Sequence, residues 1–344
     1  GIMNKRQKII GLIVGAIIIL FLAICYLLIF HPQLFMGADP EDTYKANGLY
    51  GNVSDLFFID ENTGIALSSF SYPDKPDSVK VFRTTDAGHN WCPILEMPNC
   101  SHAFNAIKID SRVFCAVKND SNFSLVCVDI LSGKHTLSTD KYSTMPILFQ
   151  YDDKLGYTAN GVFYTTDSVF ETTDSIGTYD KRPSNKGIAV IGNHFYGFIF
   201  DKDSCVSRLY DFKNKNFISG FSFPGDVSMI KTTDSSCVIF AANDQRNLEM
   251  YDFDVINNTL TPKATYAYHV MHSLRFDNGL VYTLVNDAPN TDNYLLATDK
   301  SGQTKAIINI HESNIKAYCL TDRMFYYYDQ FRHKIRRFCI SDTL

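Results

Sequence analysis

Past residue 31 the sequence has no stretch in which apolar residues recur with a helical period, which excludes helical bundles and alternating α/β folds. Recognisable catalytic motifs are absent too. The nine histidines show neither H-E-x-x-H nor a clustered zinc spacing, and there is no G-x-S-x-G elbow and no Gly-rich phosphate loop. No loop has the dense D-x-D-x-D-G spacing of a dedicated calcium site. Trp91 is the single tryptophan, so a sugar-stacking platform would fall to the 20 Tyr and 26 Phe. These absences nominate no catalytic residue, no metal and no cofactor. Charge is missing altogether between Ile9 and Phe30, and that gap organises the N-terminus.

Gly1-Ile2 ahead of Met3 reads as a cloning remnant. Lys5, Arg6 and Lys8 then precede the uncharged run 9–30, which as a helix is about 33 Å long, enough for a bilayer core of about 30 Å. A cleaved signal peptide is the competing reading, but no small-x-small site occurs before Asp39. Ile24 before Cys25 likewise disfavours lipoprotein processing. The basic flank places the N-terminus in the cytoplasm and the rest outside it. The expected organisation is a basic cytoplasmic stub (1–8), a transmembrane anchor (9–30), a polar tether (31–45) and one large domain (46–344).

Of 32 Lys and Arg, three precede the anchor, leaving 29 against 37 Asp and Glu, a net of −8. An acidic ectodomain argues against nucleic acid as a partner. The eight cysteines beyond the anchor permit disulfides, with Cys92/Cys100, Cys115/Cys127 and Cys319/Cys339 on neighbouring expected strands. Eight buried free thiols suit the count equally. Five sequons (Asn52, Asn99, Asn119, Asn122, Asn257) include two that would crowd one hairpin, which favours a bacterial periplasm or cell surface.

The domain repeats itself. An apolar strand, a turn with Asp or Asn, and a strand of aromatic and small apolar residues recur from Leu56, Ala106, Ile147, Ile188, Ser228, Ser273 and Ile315. Spacings of about 40 to 50 residues, with a second hairpin after each copy, make four strands per repeat. An all-β, seven-bladed β-propeller is expected, with six or eight blades left open if the fourth repeat is misread. The last repeat ends one strand short, so the segment 44–53 is expected to complete it and close the ring.

The strongest motif is Thr84-x-Asp86-x-Gly88-x-x-Trp91, which matches [ST]-x-D-x-G-x-x-[TW] at every position. Thr165-x-Asp167-x-Val169-x-x-Thr172 is the same pattern without its glycine. With the preceding Phe-x-Asp-x-x-x-Gly-x-Ala, this repeat resembles the photosystem II assembly factor family and its Asp-box (BNR-like) propeller relatives, and more distantly the Asp-box repeats of sialidases and sortilin-type receptors. The resemblance implies a propeller and a scaffold-like role, with Thr84, Asp86, Gly88, Trp91, Thr165, Asp167 and Thr172 structural. Sialidase chemistry is not supported: Arg-Ile-Pro is missing, and the nearest match is Arg182-Pro183.

Turns between second and third strands gather Asp74, Asp77, Asp120, Asp201, Asp203, Asp244, Asp287, Asp292 and Asp329 on one expected face. A protein or peptide partner on that face is the expected ligand. Asp and Asn are also simply what β-turns use. The alternative from another class is a glycan-active enzyme or glycan-binding receptor with an axial pocket, which predicts convergent carboxylates at the axis.

Overall fold

The structure, a computed structural model, describes residues 42–340 apart from 185–187, 225–226, 246, 278, 288–291, 311–314 and 316. The apolar run 9–30 lies outside them. Among the described residues no helix is long and apolar enough to cross a membrane.

Seven four-stranded antiparallel sheets surround an axis, a seven-bladed β-propeller. They are built from residues 52–98, 100–137, 148–178, 188–223, 227–266, 269–309 and 317–339, the last completed by Asp42–Lys45. The innermost strand comes first in each blade, so each expected repeat supplies the first two strands of one blade.

Stacking explains why the second strands do not alternate. Blades pack on both faces, so Gly64–Tyr72 buries its first seven residues and Met324–Asp329 buries all six. A continuous run such as Phe325-Tyr326-Tyr327-Tyr328 is what a strand covered on both sides requires. The outermost strands touch water instead, and Thr259–Tyr266 has no buried residue. Between blades three and four the filling is aromatic: Phe163 stacks on Phe195 at 4.8 Å, with Phe149, Tyr210 and Phe212 around them. Each fully buried ring of this kind contributes roughly 1.5–3 kcal/mol.

The ring is closed by the N-terminal strand, which is shorter and earlier than expected. Asp42–Lys45 runs antiparallel to Lys334–Cys339, with Tyr44 opposite Ile335. Asn52 and Val53 belong instead to the innermost strand of blade one. Between them the chain lies on the 84–91 turn. The Asn47 amide donates to the His89 carbonyl at 2.9 Å, and the Trp91 amide donates to the Asn47 carbonyl at 2.8 Å. Tyr44 stacks on His89 at 3.9 Å and its hydroxyl donates to the Ala87 carbonyl. Gly48, at φ +80°, passes so close that a Cβ there would meet the Trp91 carbonyl oxygen at 2.4 Å. Only glycine fits that crossing.

All eight cysteines of the domain are free. Register is the reason the expected pairs do not form. Cys115 faces Val126 while Cys127 faces Phe114, so the two thiols point to opposite faces of their sheet. Cys319 and Cys339 lie on the first and third strands of blade seven, with Met324–Asp329 between them. Cys92 and Cys100 sit in different blades.

Candidate functional site

Three regions are candidates: the turns between third and fourth strands, the opposite face carrying the expected acidic ring, and the axial cavity.

The 84–91 turn is built by its own side chains. The Thr84 hydroxyl donates to Asp86 at 2.8 Å and accepts the Gly88 amide at 3.0 Å. Asp86 also accepts the amide and side chain of Asn90, at 2.9 and 2.7 Å. Gly88, at φ +91°, frees its carbonyl for the Trp91 indole N–H at 2.7 Å. In blade three Asp167 accepts the amides of Val169, Glu171 and Thr172 together with the Thr172 hydroxyl. Phe170 there takes the positive φ in place of a glycine. Thr165 is buried in the strand Val162–Thr166 that leads into the turn.

The structure extends this device to blades where no motif is apparent. Asp129, Asp211, Asp254 and Asp299 occupy the same turn in blades two, four, five and six, each accepting at least one turn amide at 2.7–3.1 Å. The sequence signal was an Asp ending the third strand. Without the Gly and Trp it was not distinctive.

At Asp86, Asp129 and Asp167 desolvation pulls the carboxyl up but is outweighed by hydrogen bonds, which hold each below the usual range. At Asp254 and Asp299 the hydrogen bonds from Asn257 and Ser301 lead, with the same downward result. Folded values lie below unfolded ones, so the stabilisation is complete above about pH 4 and is lost as pH falls through the folded values. Thermal melts across pH 2–7 are expected to be level above about pH 5 and to fall steeply below about pH 4. A flat profile down to pH 2.5 would contradict this.

The nine expected partner-binding carboxylates lie on or beside the turns at the other end of the blades, Asp77 within the strand Lys75–Thr84, and in different conditions. Asp74 shares a two-residue turn with Pro73, since Tyr72 pairs with Lys75. A register shift between Phe70 and Tyr72, opposite Pro76 and Asp77, accommodates the missing proline N–H. Asp120, Asp203 and Asp244 are exposed, and Asp287 lies opposite Asp292. Asp201 caps its own turn, accepting the Asp203 amide and the Ser204 hydroxyl. Asp329 is 2% exposed and holds the amides of Phe331 and Arg332 and the guanidinium of Arg332 at 2.8 Å. None of the nine lines the axial cavity.

Beside these acids exposed rings stand on both sides of the seam between blades seven and one, two of them in contact with Phe70 of blade one and Phe331 on the adjoining turn of blade seven. Tyr50 and Tyr72 flank Phe70, at 5.2 and 6.0 Å, and are 43% and 44% exposed. Phe331 is 76% exposed. Its neighbour Gln330 fastens that turn to blade one, donating to the Gly51 carbonyl and accepting the Val53 amide.

The axial cavity, about 1440 Å³, is lined by innermost strands from all seven blades. It opens among the first turns of the blades, where Asp110, Asp152, Asp234 and Asp322 stand, and Asp55 lies among its lining residues. A register irregularity between Val53 and Asp55 marks this point of the strand. Burial pushes the Asp55 carboxyl up, the Ser54 hydroxyl at 2.7 Å pulling the other way. Asp55 lies on a strand and not among the turn acids; its signal in the sequence is a carboxylate inside the run Val53-Ser54-Asp55-Leu56-Phe57.

No family model matches the chain, and no curated protein matches it. Solved propellers do. A chain of the mitotic checkpoint complex crystal structure is similar over 89% of this chain and 93% of its own, with TM-score 0.59 and 11% identity. YCF48 bound to a D1 peptide is similar over 88% and 96%, with TM-score 0.54 and 10% identity. The β-propeller domain of the Trilobed protease from Pyrococcus furiosus, which has an open velcro topology, is similar over 84% and 96%, with TM-score 0.55 and 9% identity. Identities this low establish the fold alone. Here Asp42–Lys45 closes the last blade.

Proposed function

We propose that the protein is a membrane-tethered, extracytoplasmic binding or assembly module of a bacterial envelope. In this reading it takes a protein or peptide segment on the face formed by turns between second and third strands. The observation that carries it is the seam cluster Tyr50, Tyr72 and Phe331 beside Asp74 and Asp77. Exposed aromatic rings ringed by polar groups are the composition of interface anchors. The carboxylates favour a basic segment. Two of the similar propellers come from structures of assemblies: YCF48 carries a D1 peptide, and another is part of the mitotic checkpoint complex. We read the 84–91 turn as an Asp box, a structural rim feature.

Asp42 pairs with Arg337 near the end of blade seven's third strand, and Lys45 pairs with Lys334 near its start. In this reading a chain arriving from an anchor at 9–30 joins the strand Asp42–Lys45 at its end away from the turn that carries Phe331.

The test is quantitative capture from envelope extracts with the protein and with a Tyr72→Ala/Phe331→Ala variant of equal melting temperature. Each anchor ring is expected to be worth at least about 2 kcal/mol, roughly thirtyfold in affinity. Equal recovery of every captured protein by both forms would overturn the reading.

A further inference from the structure

The axial cavity lies away from the seam cluster, and its polar groups form a pattern of their own. Among the described residues two lysines line it and both are engaged: Lys231 pairs with Asp234 at 3.2 Å, and Lys108 donates to the Phe58 carbonyl at 3.3 Å. Asp55 has no such compensation. One of its oxygens accepts the Ser54 hydroxyl, the other has no hydrogen-bond partner among the described residues, and no described cation lies within ion-pair distance. It is partly covered and lines the cavity. The ionised form of a carboxylate so placed is costly unless a cation meets it, the alternative relief being protonation.

The walls say what kind of cation. Ile107, Val190, Met229 and Ile230 line the cavity and stay partly uncovered, offering an apolar passage between the carboxylates of the mouth and Asp55. Among the described residues no three His, Cys, Asp or Glu side chains are grouped as a metal ion needs. A cation with an aliphatic stem suits both the wall and the end of this passage.

We propose that the axial cavity binds an alkylammonium group on an aliphatic chain, its nitrogen on Asp55 and its methylenes along Ile107, Val190 and Ile230. Tyr318, another lining residue, is close enough for the Asp55 charge to act on its phenol, whose titration burial and that charge both push up. It therefore stays protonated beside the ammonium. Two sources supply this chemistry: the lysine side chain of a partner protein, or a free polyamine.

Calorimetry on the full chain separates them, with spermidine and the peptide acetyl-Gly-Gly-Lys-Gly-Gly-amide as probes and the norleucine analogue of the peptide as control. At least one amine is expected to bind, and Asp55→Asn is expected to weaken it about 10- to 100-fold, as loss of a charged hydrogen bond implies. Binding of spermidine alone assigns a free polyamine; binding of the lysine peptide assigns a protein side chain. Since Asp55→Asn removes an uncompensated charge, its melting temperature at pH 7 should hold or rise. The norleucine control tests the site without altering the protein. Failure of both amines to bind, equal binding of the lysine and norleucine peptides, or unchanged affinity in Asp55→Asn would each overturn the proposal. The Tyr72→Ala/Phe331→Ala variant should bind the amines normally, so the two sites fail or stand separately.

Discussion

Replacing Trp91 with alanine is expected to destabilise the propeller by about 3–5 kcal/mol, the range for removing a large buried ring. The indole is 3% exposed and couples two ends of the chain. Its N–H closes the 84–91 turn onto the Gly88 carbonyl, and its ring meets Phe58 edge-on at 6.1 Å. Phe58 in turn stacks on Tyr326 of blade seven at 4.2 Å. Alanine would leave a cavity where blade one, blade seven and the closing segment meet, with the Gly88 carbonyl left without its indole donor. For a domain of this size the loss should appear as a fall in melting temperature of roughly 6–10 °C. Circular dichroism must read it, since the substitution removes the only tryptophan fluorophore. Trp91→Phe restores most of the volume but not the donor, and should cost about 1–2 kcal/mol. A loss below 1 kcal/mol for Trp91→Ala would mean that the turn does not share in closure.

The seven repeats were legible because the two innermost strands of a blade are constrained most. They are covered on both faces, so apolar and aromatic runs such as Ile65–Leu67 and Phe325–Tyr328 are obligatory and recur at blade spacing. The closing strand was less legible, because its length depends on where the chain leaves one sheet for another. Gly48 and Gly51, at φ +80° and +87°, end Asp42–Lys45 early and redirect the chain over Trp91, and an alternating pattern alone does not mark such a break. The cysteines were illegible for a different reason. A one-residue offset decides whether Cys115 and Cys127 share a face, and sequence spacing does not carry register.

The same logic separates the acids. Spacing gathers Asp residues on or near turns, but whether such a carboxylate is available depends on what it holds. Asp329 and Asp201 are engaged by their own turns, whereas Asp74 is exposed. Asp55 was hidden by the assumption that function sits in loops, although a charge within an innermost strand has to face something at the axis.

A chain lacking residues 1–46 is expected to lose more than any single substitution, about 5 kcal/mol, relative to a chain beginning at residue 40. Removal of Asp42–Lys45 strips the outer strand from blade seven and leaves Lys334–Cys339 with an unpaired edge. The Tyr44 contacts with His89 and Ala87 go with it, as does the Ala46 amide bond to His333 at 3.0 Å. Several ladder hydrogen bonds at about 1 kcal/mol each and one aromatic side chain account for the magnitude. An open edge also pairs with its like. The truncated form should therefore melt roughly 10 °C lower and self-associate with rising concentration in analytical ultracentrifugation. A peptide of residues 40–48 supplied in trans should reverse both changes saturably, since it restores the strand without restoring the covalent link. A melting temperature within about 3 °C of the longer form would show that Asn47 and Gly48, seated on the 84–91 turn, close the ring without the strand.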